Sequence, residues 1–273
     1  DDSGRYALSV MEDEGVNTSL VGKKGATSFT YVMSDKISRE RTFFQYRGAN
    51  AHFSEDSFNW DDVDCDILHI AYILLLDELD KEDSEYGTKM ARLLAHAKER
   101  GIKTSIDVVS ETGERFGRLV PPALRYTDYC IINEIEASRS TGIPLRAEDG
   151  ALIYENVKKV LSKLFELGVS EWAVIHSPEG GFGMDKDGDY AECGLVYTPS
   201  GFIKGKVGAG DAFCAGVLSA AHRGLSLLDA VKLGNAAATV SLRSPGATEA
   251  METIEETMRI CSELGFEPVK LSK

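Results

Sequence analysis

The residues best suited to chemistry in this chain are Gly208-Ala209-Gly210-Asp211. They follow Lys206-Val207 and lead into Ala212-Phe213-Cys214-Ala215-Gly216-Val217-Leu218. A loop of small residues leaves its backbone N–H groups bare. The positive end of the helix behind it adds to their pull on an anion. An aspartate there is electrostatically favoured, and beside a bound phosphate it is placed to act as a base. Four residues of this kind also make a tight turn with an aspartate cap. The following helix favours the anion site: Ala212, Ala215, Gly216, Ser219 and Ala220 are too small to have been chosen for core volume. Another backbone or a ligand must pack against them.

Such a loop needs a scaffold, and the hydrophobic pattern supplies one. Residues 67–74, 102–106, 129–132 and 171–176 read as apolar strands. Residues 84–100 and 155–167 have helical spacing and are closed by Gly101 and Gly168. A capping box from Ser226 to Asp229 opens a helix through residue 242, and a last helix covers 249–264. Strand–helix alternation implies a parallel sheet covered on both faces. Asp107, Asn133 and His176 stand at strand ends and so share the rim where such sheets bind ligands. Two segments differ in character. Residues 1–20 read as a helix ending near Gly15. Runs 27–34 and 39–47 alternate as a hairpin around 35–38, antiparallel material that suggests a lid. Residues 181–197 read as a second hairpin around Asp187-Gly188, and its acids do not have the spacing of a calcium loop.

The chain's 273 residues, 43% of them hydrophobic, suit one large α/β domain. A net charge of −14 argues against nucleic acid and anionic membranes as partners. A nucleotide ligand would need Mg²⁺, backbone amides and a few cations close at hand. No apolar run approaches the roughly 18–20 residues of a membrane span. Five scattered cysteines point to reduced thiols in a cytoplasmic protein, without a CxxC zinc pattern. The five histidines show no HxxxH spacing, so a protein-held transition metal is not expected.

The segment 205–218 resembles the second signature of the ribokinase-like (PfkB) carbohydrate kinases, Gly-Ala-Gly-Asp followed by a small-residue helix. Asn133-Glu134-Ile135-Glu136 is similar to the family's Asn-x-x-Glu. Asp1-Asp2-Ser3-Gly4 and Glu14-Gly15-Val16-Asn17-Thr18 resemble its early motifs, and Gly48-Ala49-Asn50 the end of its lid. Asn235-Ala236-Ala237-Ala238 and Pro245-Gly246-Ala247 stand where the family closes its nucleotide pocket. The resemblance implies one three-layer α/β/α domain over residues 1–273, with a mainly parallel central sheet and a β lid at about 25–52. The family's opening strand and Gly-Gly-Asn segment are not found after Asp1, and truncation is the expectation.

For function, the resemblance implies transfer of the γ-phosphoryl group of ATP to a hydroxymethyl group of a carbohydrate. A nucleoside or other small alcohol on the same fold is the near alternative. A catalytically silent sugar-binding relative is the distant one, and the presence of Asp211, Glu136 and the glycine loop together speaks against it. Asp211 is implied as the base, with the N–H groups of Gly208, Ala209 and Gly210 stabilising the transferring group. Glu136 is implied for Mg²⁺, with a monovalent cation such as K⁺ as an open addition. Asn133, His176, Gly181, Asn235 and Ala238 are implied for the nucleotide. Asn50 and Arg41, with Arg39 and Arg47, are substrate candidates beside Asp211. Dimerisation through the lid is a family expectation, supported by the aromatic residues Phe29, Tyr31, Phe44 and Tyr46.

Overall fold

A computed structural model describes residues 1–34, 41–109, 113 and 115–269. Helix α1 (Asp2–Asp13) is followed by an antiparallel hairpin of β1 (Phe29–Ser34) and β2 (Arg41–Tyr46). Asp1 caps α1 by accepting from the Gly4 N–H at 2.9 Å. The same carboxylate accepts from the Thr27 N–H at 2.8 Å and hydroxyl at 2.6 Å, which ties the helix to the root of the hairpin. Residues 35–40, where the hairpin turn and Arg39 fall, lie outside the described residues.

The main sheet begins with β3 (Ile67–Ile73). A two-residue ladder of β4 (Glu82–Asp83) and β5 (Gly87–Thr88) then leads into α2 (Lys89–Glu99) and β6 (Lys103–Val108). Next come α3 (Phe116–Leu124), β7 (Tyr129–Asn133), α4 (Glu134–Thr141), α5 (Val157–Glu166) and β8 (Trp172–Ser177). The hairpin β9 (Gly180–Asp185) and β10 (Tyr190–Gly194) precedes α6 (Ala209–His222), α7 (Leu227–Ser241) and α8 (Ile254–Leu264). The six strands order as β10-β9-β8-β7-β6-β3. The pairs β3–β6, β6–β7 and β7–β8 are parallel, and β8–β9 and β9–β10 antiparallel.

Alternation along the buried strands assigns each face its helices. Cys130 and Ile132 of β7, with Ala173 and Ile175 of β8, join one core with Leu93 of α2, Leu119 of α3 and Leu161 of α5. Ile131 and Val174 point the other way, into Phe213 and Val217 of α6 and Val231 of α7. The result is the expected three-layer arrangement, with Asn133 paired to His176 across the shared rim.

Two readings of helix extent are corrected, and one helix is added. Helix α2 starts at Lys89 and not near 84, because Thr88 caps it, accepting from the Ala91 N–H at 3.1 Å, and 82–88 are taken up by the small ladder. Helix α8 starts at Ile254, after its cap Thr253, and not at 249. Helix α3 was not anticipated, because Pro121 and Pro122 lie inside it. Its buried Phe116, Leu119, Val120, Ala123 and Leu124 offset the backbone bonds that two prolines remove.

Candidate active site

Gly208 is where the loop turns into α6. Its φ of 76° is left-handed, and a Cβ there would stand 2.8 Å from the Cβ of Ala247. Conformation and space therefore both require glycine. As N-cap it offers no side chain, whereas Thr88, Asn133, Ser226 and Thr253 each cap their helices with an oxygen. The first bond inside α6 runs from the Ala212 N–H to the Gly208 carbonyl at 2.8 Å. The N–H groups of the first turn thus face outward from a helix of 14 residues. The loop is wedged closely: a Cβ on Gly205 would meet Pro245 Cα at 2.6 Å, and one on Gly210 would meet His176 Cε1 at 3.2 Å.

Asp211 sits in that first turn with its side chain exposed. Its Oδ1 accepts a 2.5 Å hydrogen bond from the phenol of Tyr72, at the end of β3. Tyr72 was not among the residues read from the sequence. A tyrosine near the end of a mostly aliphatic strand that runs to the ligand rim was the only signal.

Asn133 and Glu136 form a reciprocal cap on α4. Asn133 Oδ1 accepts from the N–H groups of Ile135 at 3.0 Å and Glu136 at 2.9 Å, and Glu136 Oε2 accepts from the Asn133 N–H at 3.0 Å. Glu136 is only 4% exposed. Asp107, near the end of β6, lies close enough to feel both other acids. Burial, reinforced by the negative charges of Glu136 and Asp211, pushes its carboxyl up to about 8. Burial also pushes the His176 imidazole down to about 4, against the opposing pull of Asp211, so the ring is neutral at pH 7. The Tyr72 phenol is raised, by burial first and then by its bond to Asp211.

These groups line one cavity of about 1010 Å³. Asp107, Asn133, Glu136, His176, Gly210 and Asp211 form its floor at the rim of the sheet. Phe29, Val32, Phe43 and Tyr46 of the lid hang over it, with Arg47, Asn50 and Tyr72 at the sides. Arg47 is ion-paired with Asp77. The side chain of Arg41 lies outside what the structure describes, although its backbone is in β2.

Gly181, Asn235 and Ala238 are not brought to this cavity. Gly181 is on β9, and a Cβ there would collide with Val231 Cγ1 at 2.7 Å, so its smallness lets α7 approach the sheet. Asn235 is 3% exposed and donates its amide to the carbonyls of Cys193 at 2.8 Å and Gly194 at 2.9 Å. That bond network ties α7 to β10. Ala238 is half-buried on the same helix.

The donor set around the cavity is oxygen-rich and suits a hard divalent cation such as Mg²⁺ better than a softer metal. Among the described residues, no group of three or more His, Cys, Asp or Glu is placed to hold a metal by itself. No helix among them is long and apolar enough to cross a membrane.

Comparison with known proteins agrees with this geometry. The chain is 37% identical over 81 residues to 2-dehydro-3-deoxygluconokinase of Bacillus subtilis, a match spanning 27% of this chain and 24% of that protein. It is 24% identical over 274 residues to 5-dehydro-2-deoxygluconokinase of Shouchella clausii, covering 96% of this chain and 78% of that one. The fold superposes on ribokinase from Thermotoga maritima with a TM-score of 0.73 at 20% identity, over 96% of this chain and 78% of the other. The fold is thus ribokinase-like, as expected from the motifs. Residues 1–254 match the pfkB family of carbohydrate kinases, and the chain belongs to that family.

Proposed function

We propose that this carbohydrate kinase moves the γ-phosphoryl group of ATP to a hydroxymethyl group of a sugar, with Asp211 as the base. The observation that carries this reading is a convergence. A carboxylate stands in the first turn of α6, whose N-cap glycine has no side chain to cap the N–H groups, and Glu136 lines the same cavity.

Asp211 accepts the proton of the acceptor hydroxyl as that oxygen bonds to the γ-phosphorus. The bond from phosphorus to the bridging oxygen breaks, and ADP leaves with that oxygen's electron pair. The N–H groups of Gly208, Ala209 and Gly210 stabilise the charge that spreads over the transferring oxygens. Glu136 would hold Mg²⁺ or its waters, with Asp107 beside it, and the ion supplies neutralisation of the phosphate charge. Asn133, whose Oδ1 serves two backbone N–H groups, holds Glu136 in place. Asn50 and Arg47 are the described lid-side residues offered to the sugar.

The exposed faces of the lid, with Tyr31 66% and Phe44 59% exposed, support a homodimer formed through it. Five free cysteines support a reducing, cytoplasmic setting.

The test is ATP consumption across a panel of sugars and nucleosides, comparing wild type with Asp211→Asn. Loss of the base should lower kcat by about 10²–10⁴-fold on the sugar that turns over. Turnover that survives the substitution refutes the assignment of Asp211.

A further inference from the structure

Tyr72 reaches Asp211 from an unusual stretch of backbone. Its φ is 61° and that of Leu74 is 87°, the only non-glycine residues with positive φ among those described. Side-chain-bearing residues rarely adopt this region, and such strain persists where the surroundings over-determine it. The pairing of β3 with β6 shows how the strain arises. Ile70 faces Ile106 and Ile73 faces Val108, so three steps on β3 match two on β6, a bulge of one residue.

The stretch is anchored on its far side. The Leu75 N–H donates to the Tyr72 carbonyl at 3.0 Å, and the Leu74 N–H to Asp80 Oδ1 at 3.1 Å. Asp80 is 7% exposed, and its other oxygen accepts from Arg115 at 3.2 Å. Ile73 and Leu74 are fully buried. Tyr72 is therefore held by a rigid turn and is not a swinging gate, and its phenol ends 2.5 Å from Oδ1 of Asp211.

We infer that Tyr72 is a positioning residue for phosphoryl transfer, occupying one oxygen of Asp211 and leaving the other as the only one that meets the acceptor. This rests on the reading of Asp211 as base. Two consequences follow. A carboxylate with one oxygen taken addresses a single hydroxyl and does not clasp a vicinal pair, which suits a primary alcohol on the end of the substrate. Its orientation is also set before the acceptor binds, so water finds no second oxygen from which to compete for the phosphoryl group.

Two variants test the assignment. Tyr72→Phe removes only the phenolic oxygen. Tyr72→Gly also relieves the left-handed backbone, which guards against a failure to fold. The readouts are kcat, KM for ATP and for the sugar, and the ratio of free phosphate to sugar phosphate formed. Both variants should lose about tenfold or more in kcat with KM for ATP nearly unchanged, and the ratio of free phosphate should rise. Wild-type kcat and ratio in both variants overturn the inference, as does a higher kcat, which would make the phenol an obstruction. Asp211→Asn is assayed alongside. If it keeps wild-type turnover, the base reading itself has failed, and a wild type silent on every acceptor overturns both.

Discussion

At the scale of single residues, the site's electrostatics rest on three acids that share one cavity without sharing one role. Asp107 is the member that burial and its neighbours keep protonated, up to about pH 8. A carboxyl raised in the fold stabilises it fully below its ordinary value of 3.8, and that contribution is lost as pH climbs through about 8. His176, lowered in the fold to about 4, acts with the opposite slope, but only below its ordinary 6.5. Between pH 6.5 and 8, then, Asp107 is left to act without it. The expected outcome is that the melting temperature of wild type falls across this window more than that of Asp107→Asn, measured by thermal scans at each pH. Parallel curves would mean that Asp107 is already ionised.

At the scale of elements, the turn into α6 carries the heaviest demands. Gly208→Ala places a Cβ 2.8 Å from Ala247 and imposes a left-handed backbone on alanine. A loss of about 1–3 kcal/mol in stability is expected, with KM for ATP raised because the loop shifts. Denaturant unfolding and ATP saturation curves check the two parts separately. The glycine loop, the Asn-x-x-Glu spacing of Asn133 and Glu136 and the placing of Asp107, Asn133 and His176 at strand ends were legible in the sequence because each depends on local spacing. Gly208 needs glycine for its own φ, and Asn133 needs glutamate three residues on. What depends on distant packing was not legible. Helix α3 carries two prolines, which work against a helix, yet five buried apolar side chains hold it together. The bulge in β3 has no local signature at all, since Tyr72 lies within a run of apolar residues. Asn235 shows the converse. Its motif suggests a nucleotide contact, and the amide is committed to two carbonyls of the neighbouring hairpin.

At the scale of the whole molecule, the lid is the part whose surface is least matched to water. Phe29, Tyr31, Met33, Phe43, Phe44 and Tyr46 are all exposed on two short strands. If the lid joins two copies, Tyr31→Ser with Phe44→Ser should shift the protein toward monomer in light scattering and raise KM for the sugar, because the strands also roof the cavity. An unchanged mass would sink the dimer. The net charge of −14 sets a second constraint, since an anionic nucleotide would approach against the average field.

The contact between Tyr72 and Asp211 joins residues 139 positions apart. Closing a loop of that length carries an entropic cost, and contacts of such separation slow folding. A chain still emerging from synthesis holds Tyr72 well before Asp211 has been added, so the tyrosine is in hand before the carboxylate it meets. With Asp211 as the proposed base, oriented phosphoryl transfer needs the whole span from residue 72 to residue 211 in place.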